Sequence, residues 1–399
     1  NYGDDGNETE SEPTANMSLC KKRNPRAEVK SRRQIGRRSS DAKDRKEEGS
    51  WTNLHLFVIN SADEMELENL CLKPNIRNNV NAAGECGLTP LHMAAIRGNI
   101  IFCEVLLNHG AYLCQVDSGG KTALHRAAQA GRTMTVKYFL EKGININAKD
   151  NDGRTPLHDA AYNGHVDAAS ILIQNGATCD EIDIDGSTAL LLAAHSGHVD
   201  MVDLLLHNGV DADKPDLDGC TALHDAAEKS RVEVAKILLE YNARLDVRNE
   251  CGRTALHAAC AHGHYDVAKT FVDHILITEN AEQILNARDE DGWSALHDAV
   301  VTGNIHLVRL LVENGLDVNE GDQQPPLHGA AANGHAEVVR YLMGQGARTN
   351  EGDSNGDTAL HWAAFKGQSD CVRALLEPID DEPPIDPHCQ NADGGTALH

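Results

Sequence analysis

Thr155-Pro156-Leu157-His158, trailed by Ala160-Ala161 and Gly164, is the stretch that decides how this chain folds. The same words stand at Thr89-Pro90-Leu91-His92 and Thr122-Ala123-Leu124-His125, and variants open at Thr188, Thr221 and Thr254, always 33 residues on. Later copies start at Ser294, Pro325, Thr358 and Thr396. An internal period of this size predicts an array of supersecondary units, each touching only its neighbours, in place of a closed globule.

Each recurring residue has a physical reason. The threonine oxygen accepts from free amides of a first helical turn, so it marks a helix start. Pro90 and Pro156 take the first helical position, where a missing N–H costs nothing. The alanine pairs, such as Ala127-Ala128, are small enough for neighbouring units to approach. Gly98, Gly164 and their equivalents end the first helix in a left-handed cap. A second helix follows with a leucine stripe, as in Leu204-Leu205-Leu206 and Leu310-Leu311. No unit buries both faces alone; stacking does that.

With the threonine at position 4, the copies are an irregular N-terminal cap at 49–85, then 86–118, 119–151, 152–184, 185–217, 218–250, 251–290, 291–321, 322–354 and 355–392, with a fragment at 393–399. The 251–290 copy carries an insertion around 277–283, and the 355–392 copy an acidic, proline-rich one within 377–387. Leu191 replaces the signature histidine, Ser230 the interhelical glycine and Gln323 the turn glycine. In this pattern the chain resembles the ankyrin repeat family over roughly residues 49–399. The expected fold is all-α: an ankyrin-repeat solenoid of helix-turn-helix plus β-hairpin units, with ten complete repeats.

Residues 1–48 have no periodicity and are expected to form a disordered tail. Within it, segment 21–38 holds nine Lys/Arg against one Glu28. It looks like a nuclear import signal, and a solvated basic tail explains it equally well. Arg37-Arg38-Ser39-Ser40 looks like a basophilic kinase site with Ser40 as acceptor. A phosphate there adds about −1.5 to −2 charge.

The chain carries a net charge of −25; residues 1–50 are +2, so the remaining 349 residues carry −27. Such a body repels nucleic-acid phosphates and anionic membrane. It favours solubility and basic protein partners. The 11 cysteines show no C-x-x-C pair, which argues against a zinc site or disulfide framework and for reduced thiols inside the cell, in cytoplasm or nucleus. No apolar run approaches the ~18 residues of a membrane-spanning helix. The chain opens on Asn1 and stops inside a repeat, so both ends read as cuts.

Of 21 histidines, ten belong to the Leu-His signature, from His55 to His399. One per repeat cannot converge on an ion, so they read as hydrogen-bonding links between repeats. No H-E-x-x-H, G-x-S-x-G, Walker or Rossmann pattern stands in register. The chain is therefore read as having no catalysis, cofactor or metal of its own.

The ankyrin resemblance implies that partners bind along a concave face of hairpin tips and first helices. Read at those positions, Trp293, Tyr162 and Phe365 head the candidates, with Arg154 and Arg253 beside them, then Arg97, His195 and His262. Trp, Tyr and Arg are enriched at binding hot spots. Packing on the next repeat is the other reading of Trp293, and the favoured one for Tyr162. Trp362 is expected to be partly buried, and the aspartates at position 1 to be turn formers. Leu311 with Asp317-Val318-Asn319 resembles the asparagine hydroxylation site of many ankyrin repeats, with Asn319 as acceptor. Asp291-Gly292-Trp293-Ser294 and Leu360-His361-Trp362-Ala363-Ala364-Phe365 resemble pieces of the methyl-lysine-reading ankyrin repeats of euchromatic histone methyltransferases. A whole repeat separates the two tryptophans here, and Asp298 stands where a second cage tryptophan is expected.

The resulting expectation is a monomeric protein-interaction scaffold or adaptor. The alternative is the regulatory or substrate-recruiting arm of a larger enzyme or channel, a histone-tail reader included.

Overall fold

The computed structural model describes residues 51–60, 63–73, 79–321, 324–377 and 385–397. The tail 1–48 with segment 21–38 and Ser40, Gln323, the core of the proline-rich insertion and His399 lie outside the described residues. Contacts divide the chain into 1–48 and 49–399. The second unit is a row of helix pairs.

The cap contributes α1 (Asn53–Asn60) and α2 (Glu64–Cys71). Then come α3 (Pro90–Arg97) with α4 (Ile100–Asn108), α5 (Ala123–Gln129) with α6 (Thr133–Glu141), and α7 (Pro156–Asn163) with α8 (Val166–Gln174). The middle pairs are α9 (Ala189–Ser196) with α10 (Val199–His207), α11 (Ala222–Glu228) with α12 (Val232–Glu240), and α13 (Ala255–Ala261) with α14 (Tyr265–Ile275). A short α15 (Ala281–Leu285) follows. The last pairs are α16 (Ala295–Thr302) with α17 (Ile305–Glu313), α18 (Pro326–Asn333) with α19 (Ala336–Gly344), and α20 (Ala359–Phe365) with α21 (Ser369–Leu376).

First helices pack in one row and second helices in another. The alanine pairs make this possible: Ala94-Ala95, Ala127-Ala128 and Ala160-Ala161 are fully buried between neighbours. Leu106, Leu205, Leu238 and Leu311 of the second helices join them in one core that runs unbroken from Leu54 to Leu375.

All but one of the complete repeats carry a signature histidine that pins them to the next. Thr89 N–H donates to His92 Nδ1 at 3.1 Å, which leaves the imidazole proton on Nε2. From there it is donated to the Lys121 carbonyl of the next repeat at 3.0 Å. His125 does the same to Arg154, His158 to Ser187 and His224 to Arg253. The partner lies 29 residues on in these copies. It lies 36 on for His257, 27 on for His297 and 34 on for His361, so insertions and a deletion are looped out while the bridge is kept. The insertion after α14 does this by forming α15.

The expected hairpins exist only as tight turns. Asp117 N–H donates to the Lys121 carbonyl and Gly120 N–H back to Asp117, both at 3.0 Å. Each tip then makes one backbone bond to its neighbour, as Asn151 N–H does to Gly119 at 3.0 Å. One bond per neighbour is too little to build a ladder, and no strand forms among the described residues.

The sequence departures concentrate in one place. Leu191 is buried as a core side chain, so the signature histidine-to-carbonyl bridge is missing between its repeat and the following one. In that following repeat Ser230 and Asn242 sit at φ 56° and 60°, where the preceding repeat has Gly197 and Gly209 at 86° and 79°. Elsewhere, Pro325 has no N–H to give, and His328 Nδ1 is buried without a hydrogen-bond partner.

Candidate protein-binding surface

The turns are organised by an acid that the sequence reading passed over. Asp117 Oδ1 accepts from Gly119 N–H at 2.8 Å and Lys121 N–H at 3.0 Å. Asp150, Asp183, Asp216, Asp353 and, as the amide, Asn249 repeat the arrangement. Sequence reasoning gave the turn-forming role to the aspartates at position 1. The structure gives it to the residue two places earlier, whose side chain points inward and is buried. The signal was present as Asp/Asn three residues before the turn glycines from Gly120 to Gly356.

The second carboxylate oxygen of several turn acids meets a cationic or N–H-bearing side chain. Asp117 Oδ2 accepts from Arg126 Nε at 2.7 Å, Asp150 Oδ2 lies 3.0 Å from Lys121 Nζ, and Asp353 Oδ2 accepts from Trp362 Nε1 at 3.0 Å. Next to these lies a second set of buried acids on the first helices themselves. Asp159 pairs with Lys121 at 2.6 Å, Asp225 with His195 at 3.3 Å, and Asp298 with Arg253. Each of these pairs joins one repeat to the next.

This network claims most of the basic candidates. Arg253 is held by Asp298, and His195 by Asp225. Arg97 folds back onto the end of α1 and donates to the Val58 carbonyl at 2.6 Å. His262 Nδ1 bonds the Ala258 carbonyl at 2.9 Å, and its ring stacks on His264. Arg154 reaches Asp183 at 3.3 Å, with its guanidinium 5.7 Å from the centre of the Tyr162 ring.

The aromatic candidates differ among themselves. Trp293 is half-buried and stacks on His297, with centroids 5.8 Å apart, while its carbonyl receives His257. Tyr162 is 46% exposed and Phe365 64% exposed. Trp362 is half-buried, bonded to Asp353, and meets Phe365 edge-on at 6.3 Å. Both of these tryptophans are thus already engaged, Trp293 by His297 and Trp362 by Asp353 and Phe365. The structure brings together Arg154 with Tyr162 and Trp362 with Phe365; the other candidates are spread along the array. Asn319 bridges repeats through both ends of its amide, donating to Gly346 at 2.9 Å and accepting from Arg348 N–H at 2.7 Å.

Burial sets the protonation of the interior. It lowers the pKa of His92, His125 and His158, takes His257 to about 3, where Arg253 adds to the effect, and takes His297 to about 4. These histidines are neutral links. Burial also pushes Asp298 up to about 6, outweighing the opposite pull of Arg253. Cys71 and Cys103 are driven up to about 11 and about 12 by burial, which makes them inert as nucleophiles. Among the described residues no three His, Cys, Asp or Glu are placed to hold a metal, and no helix is long and apolar enough to cross a membrane.

The family described as ankyrin repeats, three copies to a unit, matches residues 54–150, 114–183, 150–216, 176–249, 243–322 and 316–391. No curated protein matches the chain. Stacked helix pairs, histidine bridges and acid-centred turns across that span agree with the match: the chain belongs to the ankyrin repeat family.

Proposed function

We propose that this chain is a scaffold or adaptor that binds a protein partner along its turn tips and first helices. Ankyrin repeats are generally protein–protein interaction modules. The observation that carries the more specific reading is the Arg154–Tyr162 pair. Tyr162 is 46% exposed, and the guanidinium over its ring is anchored by Asp183. An aromatic and an arginine held in place before binding lose little entropy on contact. Both are hot-spot residue types. Phe365 is the second exposed aromatic on a first helix.

Proximity labelling with the full chain, followed by titration of the captured partner, tests this reading. Tyr162→Ala and Arg154→Ala are each expected to weaken binding about tenfold or more with the helical signal unchanged. A dissociation constant indifferent to both changes would remove the pair from the interface.

A further inference from the structure

Two neighbouring turns carry apolar side chains that the core does not use. Ile182 and Ile184 flank the inward Asp183 in one turn, and Pro215 and Leu217 flank Asp216 in the next. Ile182 is 41%, Ile184 61% and Leu217 64% exposed. Leu217 N–H bonds the Asp185 carbonyl at 3.1 Å, which joins the two turns side by side, and Ile184 N–H bonds the Asp152 carbonyl of the turn before at 3.0 Å. Gly186 leaves room for Leu217 to lie against the neighbouring turn, since a Cβ there would meet Leu217 Cγ at 3.0 Å. The four side chains thus lie on two directly bonded turns, unlike isolated exposed aliphatics, which are ordinary on any surface. The matching position is polar or charged at Ser118, Asn151, Glu250, Glu290 and Ser354, and a small alanine at Ala392.

Charge surrounds this patch on one side. Asp185 and Asp218 stand at the same tips and Asp152 on the turn before, all exposed or half-exposed, and no ion pair engages them among the described residues. Two lysines beside the patch are taken up by acceptors of their own: Lys149 by Glu181 at 2.8 Å and the Ile182 carbonyl at 3.2 Å, and Lys214 by the Asp180 carbonyl at 2.7 Å. An apolar patch edged by unpaired carboxylates complements aliphatic side chains edged by cations.

We infer that Ile182, Ile184, Pro215 and Leu217 form a docking patch for a basic segment of a partner protein, with aliphatic side chains alternating with Lys or Arg. The inference rests on the protein-binding reading above but assigns a different surface from the Arg154–Tyr162 pair. The aliphatic residues enter the patch, and the cations meet Asp152, Asp185 and Asp218.

The test uses the full chain and three synthetic peptides of about a dozen residues. One alternates Leu with Arg, one replaces each Leu by Ser, and one replaces each Arg by Glu. Fluorescence anisotropy is expected to show binding of the Leu/Arg peptide, weakening as salt rises. Loss of about tenfold or more is expected on the Ser/Arg peptide, on the Leu/Glu peptide, and on the Ile184→Ser, Leu217→Ser double variant. Both replaced side chains are exposed, so the thermal melt of that variant should match the parent. Failure of the Leu/Arg peptide to bind, equal binding of the Ser/Arg peptide, or equal binding to the double variant would overturn the inference. A captured partner that loses affinity with Tyr162→Ala but not with the double variant would overturn this inference alone and leave the protein-binding reading standing.

Discussion

His257 donates from Nε2 to the carbonyl of Trp293 at 3.2 Å, across 36 residues and past an inserted helix. The bond is the same one that His92 makes across 29 residues. The array conserves this geometry and lets chain length vary around it. That makes the histidine link the natural place to disturb.

Removing one link should be costly. His125→Leu leaves the Arg154 carbonyl and the Thr122 N–H without their imidazole partners. A buried unsatisfied group costs about 1–3 kcal/mol, so chemical denaturation should show a loss of that size, with helix content retained in the folded state.

Acid should weaken the array through these same residues. Burial holds the folded pKa of His92, His125, His158, His257 and His297 below 6.5. The unfolded chain therefore binds more protons below about pH 6.5, and stability falls as pH drops from there toward about 4 and 3, the lowest folded values. Each histidine contributes a slope of up to about 1.4 kcal/mol per pH unit. Asp298 acts oppositely, since its folded value near 6 lets the native state take up a proton first. Urea titrations from pH 8 to 5 should show falling stability, and a flat profile would contradict the neutral-link assignment.

The repeat at 218–250 should open first. It meets its predecessor without the signature histidine bridge, at Leu191, keeping only the longer His195–Asp225 contact at 3.3 Å, and holds Ser230 and Asn242 at positive φ. Left-handed backbone costs an ordinary L-residue about 1–2 kcal/mol, and less for asparagine. Glycine gives part of that back through its freer unfolded chain. Ser230→Gly should stabilise the protein by up to about 1 kcal/mol and Asn242→Gly by less. Hydrogen exchange should find the amides of α11 and α12 less protected than those of α7 and α8.

Breaking the Arg253–Asp298 pair should carry a pH signature. Arg253→Met strands a buried carboxylate, and losing one partner of such a pair costs about 3 kcal/mol. The deficit relative to the parent should be largest near pH 7 and shrink at pH 5, where the carboxyl is protonated. A deficit independent of pH would mean that the side chain's packing matters more than its charge.

Trp293→Ala and Tyr162→Ala should separate packing from binding. Trp293 stacks on His297, so its loss should lower the melting temperature. Tyr162 is half in solvent and should change stability by less than about 0.5 kcal/mol.

The helices, their caps and the histidine links were legible because each depends on residues within one repeat or at a fixed offset to the next. Thr89, His92 and Gly98 act locally, so their spacing alone declares them. The binding candidates were harder. Arg253, His195 and Arg97 look available in sequence, yet each is committed to a partner 30 to 45 residues away. Ile184 and Leu217 drew no notice because their significance is that they are adjacent and uncovered, and neither property is written in either residue.

The sequence by itself determined the repeat, its phase and the linking role of its histidines, because a periodic array reduces tertiary structure to one interface repeated. Only the tertiary structure decided which polar side chains are already spent. The turn acids take up their own loops, the first-helix acids take up the cations, and an aromatic at Trp293 packs while one at Tyr162 does not. Exposure and pairing are properties of neighbours in space, and stacking sets them after the chain has met itself one repeat on.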